Sequence, residues 1–551
     1  MKPTSIDYQI MWNRLIAVVE EQATTLIRTA FSTSVREAGD LSAGLFDRNS
    51  RMIAQAVTGT PGHVNAMAES VGHFAQQIGV QNICEGDVYI TNDPWLGTGH
   101  LHDITMVTPV FRAGVHIGFF ACTAHVVDIG GRGFGPDAGE VFEEGLLIPI
   151  SKFADKGIVN EFMVQVVRWN VRTPDQTVGD MYSLAACNEA GERRLQAMLD
   201  EFGLDDIDGL ADFIINASRK ATRAAIAQVA DGTYTNEMRV DGYEAPIDLK
   251  FSLTINGDQA IANFDGTSGM SKFGVNVPEV YTRAYACYAL KCAIAPDAPN
   301  NAGSLDPFEI SAPSGSILAA KRPAPVSVRH VIGHLVPDVV LGALHKAMPG
   351  IVPAEGASAL WNIQISARGI DPADNLPSSE ILMFNSGGTG ARPSVDGLSA
   401  TAFPSGVSTM SVEATEHVGP IVVWKKELRP GSGGAGNTRG GLGQIIEIEP
   451  RDGYEFWFNA MFDRVDHPAR GRDGGGDGAA GIVALADGTG LRSKGRQLIS
   501  ADQRLRLSLP GGGGYGAPNT RKITDIEADI DAGLITLDQA ATAYGYKGTK
   551  K

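Results

Sequence analysis

The sequence contains few cysteines and no cysteine motif. Five residues are scattered over a chain of 551: Cys84, Cys122, Cys187, Cys287 and Cys292. An odd number without CxxC pairs excludes a disulfide framework and a cysteine-rich zinc site. We therefore expect reduced thiols, mostly buried.

An apolar run long enough to cross a membrane is also absent. No stretch approaches the roughly 18 apolar residues that span a bilayer. The chain begins Met1-Lys2-Pro3-Thr4-Ser5 and continues directly into an amphipathic pattern, without a signal-peptide core or cleavage site. These features predict a cytoplasmic protein that does not act at a membrane.

Basic residues are too few for nucleic-acid binding. The chain has 46 Lys and Arg against 63 Asp and Glu, a formal net charge of −17. Nonspecific DNA or RNA binding needs a basic face. Nucleic acid is therefore not an expected partner.

Nucleotide-binding motifs are missing although glycine is frequent. The 66 glycines concentrate in the ranges 431–443, 471–478 and 510–516, and none of these carries GxxxxGK[ST]. No strand–GxGxxG–helix unit is visible. Such glycine-rich segments make tight turns or let N–H groups approach an anion, and turns are the commoner use. An ATP or dinucleotide site within this chain is not indicated.

Apolar periodicity predicts an α+β fold without a Rossmann or P-loop domain. Helical spacing covers 6–31, 63–78, 177–202, 207–229, 277–294 and 330–348, and alternation predicts hairpins at 41–56, 104–122 and 253–261 and a strand at 147–150. Strands and helices do not alternate as βαβ units. Several lobes are expected, with limits at 1–230 (a mixed lobe carrying the site below), 231–330 (strand-rich), 331–520 (mixed, with the glycine-rich segments) and 521–551 (a polar helical tail).

The stretch 92–105 is where we expect the chemistry. A turn-rich loop delivers His100 and Asp103 to the start of one apolar strand, and the next strand ends at His125 and Asp128. If the strands pair as a hairpin, these side chains meet at one end. Two imidazoles and a carboxylate there make an open divalent-metal site.

Other assignments are weaker. A lone histidine beside a strand is more often a satisfied core or surface group than a ligand. His330 and His334 stand four residues apart without the Glu of a zinc-protease helix, so we interpret them as helix or cleft residues. The loop 36–40 could face a site, although a solvated turn is its more ordinary role. No Gly-x-Ser-x-Gly elbow supports a serine hydrolase.

Several motifs together resemble a known family. They are Asn92-Asp93-Pro94, His100-x-x-Asp103-Ile104-Thr105, Ala124-His125-x-x-Asp128-Ile129-Gly130-Gly131, residues 139–146, 172–176, 265–268, 301–304 and 338–344, Arg429-Pro430-x-Ser432-Gly433-Gly434, and residues 510–516. The chain resembles the B-type subunit of the hydantoinase B/5-oxoprolinase family. That family includes N-methylhydantoinase and subunits of caprolactamase and of acetone and acetophenone carboxylases.

The resemblance implies a metal site and a partner. It implies His100, Asp103 and His125 as ligands of Zn²⁺ or Mn²⁺, with Asp128 orienting His125 or accepting a proton from bound water; Asp93 is a weaker catalytic candidate that could equally cap its own turn. An A-type ATPase subunit with an actin/sugar-kinase-like fold would hold ATP and Mg²⁺, in a hetero-oligomer with two or more copies of each chain.

The sequence departs from the family pattern in two places. His102 stands where many relatives have proline, which adds a third imidazole to the loop and leaves the ligand assignment open. The run 131–135 also differs from the small residues expected there.

Two reactions fit a metal-binding subunit whose substrate is activated by a separate ATPase subunit. The first is ATP-dependent ring opening of a hydantoin, 5-oxoproline or lactam, where phosphorylation of the amide oxygen makes a better electrophile and the metal activates water. The alternative is a biotin-independent ketone carboxylase, which also needs a Lewis acid beside a phosphate-bearing intermediate. A scaffold subunit with a vestigial site is a third, non-enzymatic hypothesis.

Overall fold

The computed structural model describes residues 4–57 and 59–548 and confirms the α+β class. The α-helices are α1 (Ser5–Thr29), α2 (Thr33–Arg36), α3 (Pro61–Ile78), α4 (Glu161–Asn170), α5 (Pro174–Phe202), α6 (Asp208–Ile226), α7 (Glu279–Ile294), α8 (Ala302–Leu305), α9 (His330–Gly333), α10 (Val336–Ala347), α11 (Val412–Val418), α12 (Ile523–Asp531) and α13 (Leu537–Tyr544). In the described part of the chain, no helix is both long and apolar enough to span a membrane.

The strands of the described residues form four sheets. They are β1 (Leu41–Asp47), β2 (Met52–Gln55), β3 (Val88–Thr91), β4 (Asp103–Arg112), β5 (Val115–His125), β6 (Ser151–Asp155), β7 (Ile158–Val159), β8 (Gly232–Val240), β9 (Ile247–Asn256), β10 (Gln259–Asn263), β11 (Phe308–Ser311), β12 (Ile363–Gly369), β13 (Ser379–Met383), β14 (Ile421–Leu428), β15 (Gln444–Pro450), β16 (Tyr454–Met461), β17 (Ile482–Leu485), β18 (Lys494–Ile499) and β19 (Leu505–Ser508).

The first sheet carries the expected site. Its strand order is β2-β1-β5-β4-β3-β6-β7, with all neighbours antiparallel. Side chains alternate across it: Phe120 packs on the side of α1, and Phe119 packs on the side of α3. Because helices cover both faces, the central strands β4 and β5 are buried almost throughout.

The other sheets support the helices and loops that complete the site, such as Tyr281 of α7 and His330 of α9. The order β11-β10-β9-β8 forms a sheet that shares an apolar core with α7 and α10. The orders β13-β12-β16-β18 and β14-β15-β19-β17 enclose a further core around Trp361. The predicted lobe limits stay predictions, and residues 1–3 and 549–551 of the outer lobes lie outside the described residues.

The glycine-rich segments pack against one another as extended backbone. Gly434 N–H donates to the carbonyl of Gly512 at 2.8 Å, and Gly512 N–H donates to the carbonyl of Gly441 at 3.0 Å. A Cβ on Gly512 would lie 1.9 Å from the carbonyl oxygen of Thr389. These segments therefore need glycine for close backbone contact, and the expected turns also occur, at Gly431 and Gly474 with φ of 68° and 89°.

Two predicted elements differ. The predicted strand at 147–150 is absent from the described structure, where β6 begins only at Ser151. Ile148 N–H donates to the side chain of Asn92 at 2.6 Å instead of to a neighbouring strand. Pro149 has no N–H group that could donate to one. The helix at 330–348 is divided into α9 and α10, because Pro337 fits only a first helical turn.

Candidate metal centre

The β4–β5 hairpin brings Asp103 and His125 together. They are the last paired residues of the antiparallel ladder, directly opposite each other. The hairpin closes through Ala113 and Gly114, both with positive φ (50° and 77°), the backbone of a type I′ turn. The predicted hairpin is therefore confirmed, and its register places a carboxylate beside an imidazole.

His100, from the preceding loop, completes a group of three potential ligands. Its Nε2 lies 2.7 Å from Asp103 Oδ1, and His125 Nδ1 lies 3.2 Å from the same oxygen. One ligand atom from each residue lies within 4.8 Å of the others, and all three residues are buried. The structure thus brings together the three residues that the sequence singled out.

The hydrogen bonds of His100 favour a cation at this point. Its Nδ1 lies 2.7 Å from the carbonyl oxygen of Ser327, which only accepts, so Nδ1 carries the proton. Burial and the nearby Arg329 guanidinium lower the pKa of His100 to about 3, although Asp103 raises it. Its Nε2 faces Asp103 Oδ1, so these two atoms could serve the same metal ion as ligands.

The second oxygen of Asp103 is held by the protein. Oδ2 accepts from Thr98 Oγ1 at 2.7 Å and from Arg329 at 2.5 Å, and His63 Nε2 lies 3.0 Å away. Burial alone would raise the pKa of Asp103, but His100, His63 and Arg329 hold it well below the usual range. Asp103 is therefore ionised, with Oδ1 left facing the two imidazoles.

Arg329 is fixed in turn. Its Nε donates to the carbonyl of Thr98 at 2.8 Å, and its guanidinium lies 4.0 Å from the centre of the Tyr281 ring. The side chain is 3% exposed. A buried arginine with these partners orients Asp103 and is not free to bind a substrate.

A small cavity lies beside the three residues. Its volume is about 20 Å³, room for about one water molecule. Its wall includes Asp40, His63, His330, His334 and Asn362. His330 and His334 are thus buried cleft residues, with His334 Nε2 3.1 Å from the Tyr281 hydroxyl.

Asp128 does not contact His125 as expected. Its Oδ1 accepts from the Arg172 guanidinium at 2.8 Å and from Gly130 N–H at 3.2 Å, and its Oδ2 accepts from Arg172 N–H. The carboxylates beside the His125 ring are instead Asp103 and, at 4.0 Å, Asp40. The predicted orienting contact is wrong because the chain turns away after β5.

Asp93 caps its own turn, which was the alternative to a catalytic role. Its Oδ1 accepts from Trp95 N–H at 3.0 Å, and its other oxygen pairs with Arg322. The turn continues with Gly97 N–H donating to the Asp93 carbonyl at 2.7 Å. These bonds stabilise the loop that leads to His100.

Sequence reasoning missed His63 and left the role of Asp40 open. Asp40 ends the polar loop 36–40, for which a solvated turn is the more ordinary role, yet it is 7% exposed and accepts from Thr60 Oγ1 at 3.1 Å. Burial lowers the pKa of His63, but Asp103 and Asp40 raise it above its ordinary value overall. A histidine in the first turn of α3, beside a polar loop, was the only signal in the sequence.

Glu144 was missed as well. Its Oε1 accepts from the N–H groups of Val326 and Ser327 at 2.6 and 2.8 Å, and it is 1% exposed. Burial raises the pKa of Glu144 to about 8. It belongs to the motif 139–146, and nothing in the spacing linked it to His100.

The comparison with known proteins shows the family and the fold of this chain. Residues 4–518 match the Hydantoinase B/oxoprolinase family. The chain belongs to that family, which confirms the resemblance. A putative B-type subunit of a D-/L-hydantoinase from Pseudomonas sp. (strain NS671) is 28% identical over 569 residues, covering 98% of this chain and 94% of the relative.

Two solved structures have the same fold. The crystal structure of ATP-dependent caprolactamase from Pseudomonas jessenii matches with a TM-score of 0.91 and 25% identity, over 100% of this chain and 97% of that one. A nucleotide-free acetone carboxylase matches with a TM-score of 0.86 and 18% identity, over 98% of this chain and 80% of that one. At 18% identity, the match to acetone carboxylase shows a shared fold alone.

Proposed function

We propose that this chain is the metal-dependent B-type subunit of an ATP-dependent cyclic-amide hydrolase that opens a hydantoin, 5-oxoproline or lactam ring. The observation that carries the proposal is the convergence of His100 Nε2 and His125 Nδ1 on Asp103 Oδ1, at 2.7 and 3.2 Å. Family membership supports the substrate class, as do the names of the hydantoinase relative and of the ATP-dependent caprolactamase.

His100, Asp103 and His125 would hold the metal. Two imidazoles and one carboxylate suit Zn²⁺ or Mn²⁺. A bound ion supplies Lewis acidity for a carbonyl group and lowers the pKa of water.

The surrounding residues would hold the ligands and move a proton. Arg329 and Thr98 fix the carboxylate of Asp103, and Ser327 fixes the tautomer of His100. Asp40, a buried carboxylate in the cavity wall, takes the role of proton acceptor in place of Asp128. Because the cavity admits about one water molecule, its wall must open to receive a ring.

Activation of the substrate would occur on another chain. An A-type ATPase subunit would bind ATP and Mg²⁺ and phosphorylate the substrate, in a hetero-oligomer with two or more copies of each subunit. The hydantoinase relative is named as one subunit of its enzyme, which supports a partner. We expect the complex in the cytoplasm, where ATP is supplied.

The test is purification in complex with an A-type partner, followed by metal analysis and an ATPase screen. We expect one Zn or Mn per B-type chain and ATP turnover stimulated by lactams, 5-oxoproline or hydantoins. Turnover stimulated only by ketones with bicarbonate would replace the hydrolase by the carboxylase. If the complex keeps full activity after its transition metal has been removed, the proposed metal dependence is wrong.

A further inference from the structure

His102 is a buried imidazole whose polar atoms are unused. It is 0% exposed, and neither Nδ1 nor Nε2 has a hydrogen-bond partner among the described residues. Leaving a buried polar group unsatisfied costs about 1–3 kcal/mol. A side chain in this position needs a partner that the chain alone does not supply.

The ring lies among the rings of the two histidine ligands. The centroid distances are 5.0 Å between His100 and His125, 5.5 Å between His102 and His125, and 5.6 Å between His100 and His102. The three imidazoles thus form a nearly equilateral triangle. The Phe134 ring packs against all three, with its centre 4.9 to 5.7 Å from the centre of each imidazole ring.

These distances match imidazoles that share one metal ion. A metal–nitrogen bond of about 2.0–2.1 Å places each ring centre about 3.2 Å from the ion. Two such rings at a tetrahedral angle have centres about 5.2 Å apart. The observed triangle therefore has the size of a three-imidazole metal site, and the nearly parallel rings of His102 and His125 (interplanar angle 14°) would tilt apart to share one ion.

We propose that His102 is a further ligand of the metal centre, making its donor set three imidazoles and one carboxylate. The inference rests on the metal site of the proposed function. The nitrogens of His102 lie outside the group of atoms within 4.8 Å of one another. A half-turn of the ring about Cβ–Cγ exchanges its nitrogen and carbon positions, and no hydrogen bond within the described chain opposes that rotation.

The added imidazole has a consequence for the identity of the ion. Imidazole suits Zn²⁺ and related borderline cations, whereas carboxylate and water ligands suit Mn²⁺. A site with three imidazoles therefore selects Zn²⁺ over Mn²⁺. A substrate oxygen or water would enter as the fifth ligand.

The experiment uses the full chain in complex with its partner, loaded with Zn²⁺ alone. X-ray absorption fine structure counts imidazole ligands, and a chelator competition gives the Zn²⁺ dissociation constant. We expect three imidazoles in the wild type and two in His102→Phe, with affinity weakened at least about 100-fold. His116→Phe, a half-buried histidine of the same hairpin, should change neither quantity.

The outcomes separate the two proposals. Two imidazoles in a wild-type enzyme that needs its metal would overturn the role of His102 and leave the proposed function standing. Failure of the wild type to bind any transition metal would overturn both. If His102→Phe does not fold, the number of imidazole ligands in the wild type still tests the role of His102.

Discussion

The Nδ1 atom of His100 lies 2.7 Å from the carbonyl oxygen of Ser327. The N–H of Ser327 is bound in turn by the carboxyl group of Glu144, 2.8 Å away, which also binds the N–H of Val326. Two residues further on, Arg329 binds Asp103. One backbone segment therefore orients two of the three proposed ligands, and Glu144 holds that segment.

Glu144→Ala should weaken metal binding without removing a ligand. Loss of the acceptor for two N–H groups frees the segment 326–329, and we expect about 10- to 100-fold lower metal affinity, the usual cost of removing an outer partner of a ligand. Glu144→Gln keeps an acceptor oxygen and should restore most of the affinity. Chelator competition measures both.

A control for that effect is the neighbouring Glu143→Ala. Glu143 pairs with Arg132 at the surface, so its loss should leave metal affinity unchanged. Equal losses in Glu144→Ala and Glu144→Gln would contradict the proposed acceptor role.

Glu144 also predicts a pH dependence of stability. Its pKa is about 8 in the folded chain against an ordinary 4.5, because the side chain is buried. Between these values the folded state binds more protons than the unfolded state, so the free energy of unfolding falls as pH rises, by up to about 1.4 kcal/mol per pH unit. Glu144→Gln lacks this titration and should therefore gain stability relative to the wild type from pH 5 to pH 8. Denaturant unfolding at several pH values measures the difference; parallel curves would refute it.

Asp103→Asn should abolish metal binding, whereas Asp128→Asn should not. The first change removes a proposed ligand and leaves the buried Arg329 unpaired, which costs about 3–5 kcal/mol of stability. The second affects a carboxylate that binds Arg172. Metal content and thermal unfolding of the two purified variants check both expectations, and loss of the metal from Asp128→Asn would contradict them.

Asp40→Asn should lower turnover while metal stays bound. As the proposed proton acceptor, Asp40 should contribute roughly 10²- to 10⁴-fold to kcat. Asp128→Asn, measured beside it, should retain most of kcat. The reverse pattern would return the acceptor role to Asp128.

Gly512→Ala should destabilise the glycine-rich region strongly. The new Cβ would lie 1.9 Å from a backbone oxygen that cannot move independently of its own hydrogen bonds. We expect a loss of about 3 kcal/mol or more in the free energy of unfolding. Gly490→Ala, where the described structure has no atom within 4 Å of the new Cβ, is the matched control. Similar stabilities for the two variants would refute the packing argument.

The β4–β5 hairpin and the three proposed ligands were accessible from the sequence because local signals determine them. Alternating apolar residues define β4 and β5, and the two-residue turn at Ala113 and Gly114 sets their register. That register places Asp103 opposite His125. The neighbouring loop supplies His100 within three residues of Asp103, so little tertiary information was needed.

The surrounding residues depend on distant contacts and could not be placed in this way. Arg329 lies 226 residues from Asp103, and Ser327 lies 227 residues from His100. The glycine-rich segments carry no side-chain pattern, so their backbone pairing leaves no periodic signal. The pairing of Asp128 with Arg172 likewise depends on where the chain turns after β5.

The small size of the cavity beside His125 would determine what reaches an activated substrate. An amide carrying a phosphoryl group reacts readily with bulk solvent, and premature hydrolysis would waste the ATP spent on it. A cavity with room for about one water molecule would limit the access of bulk solvent. Under the proposed function, the small cavity would limit the contact of the phosphorylated intermediate with solvent. It would still admit the one water molecule that hydrolyses this intermediate.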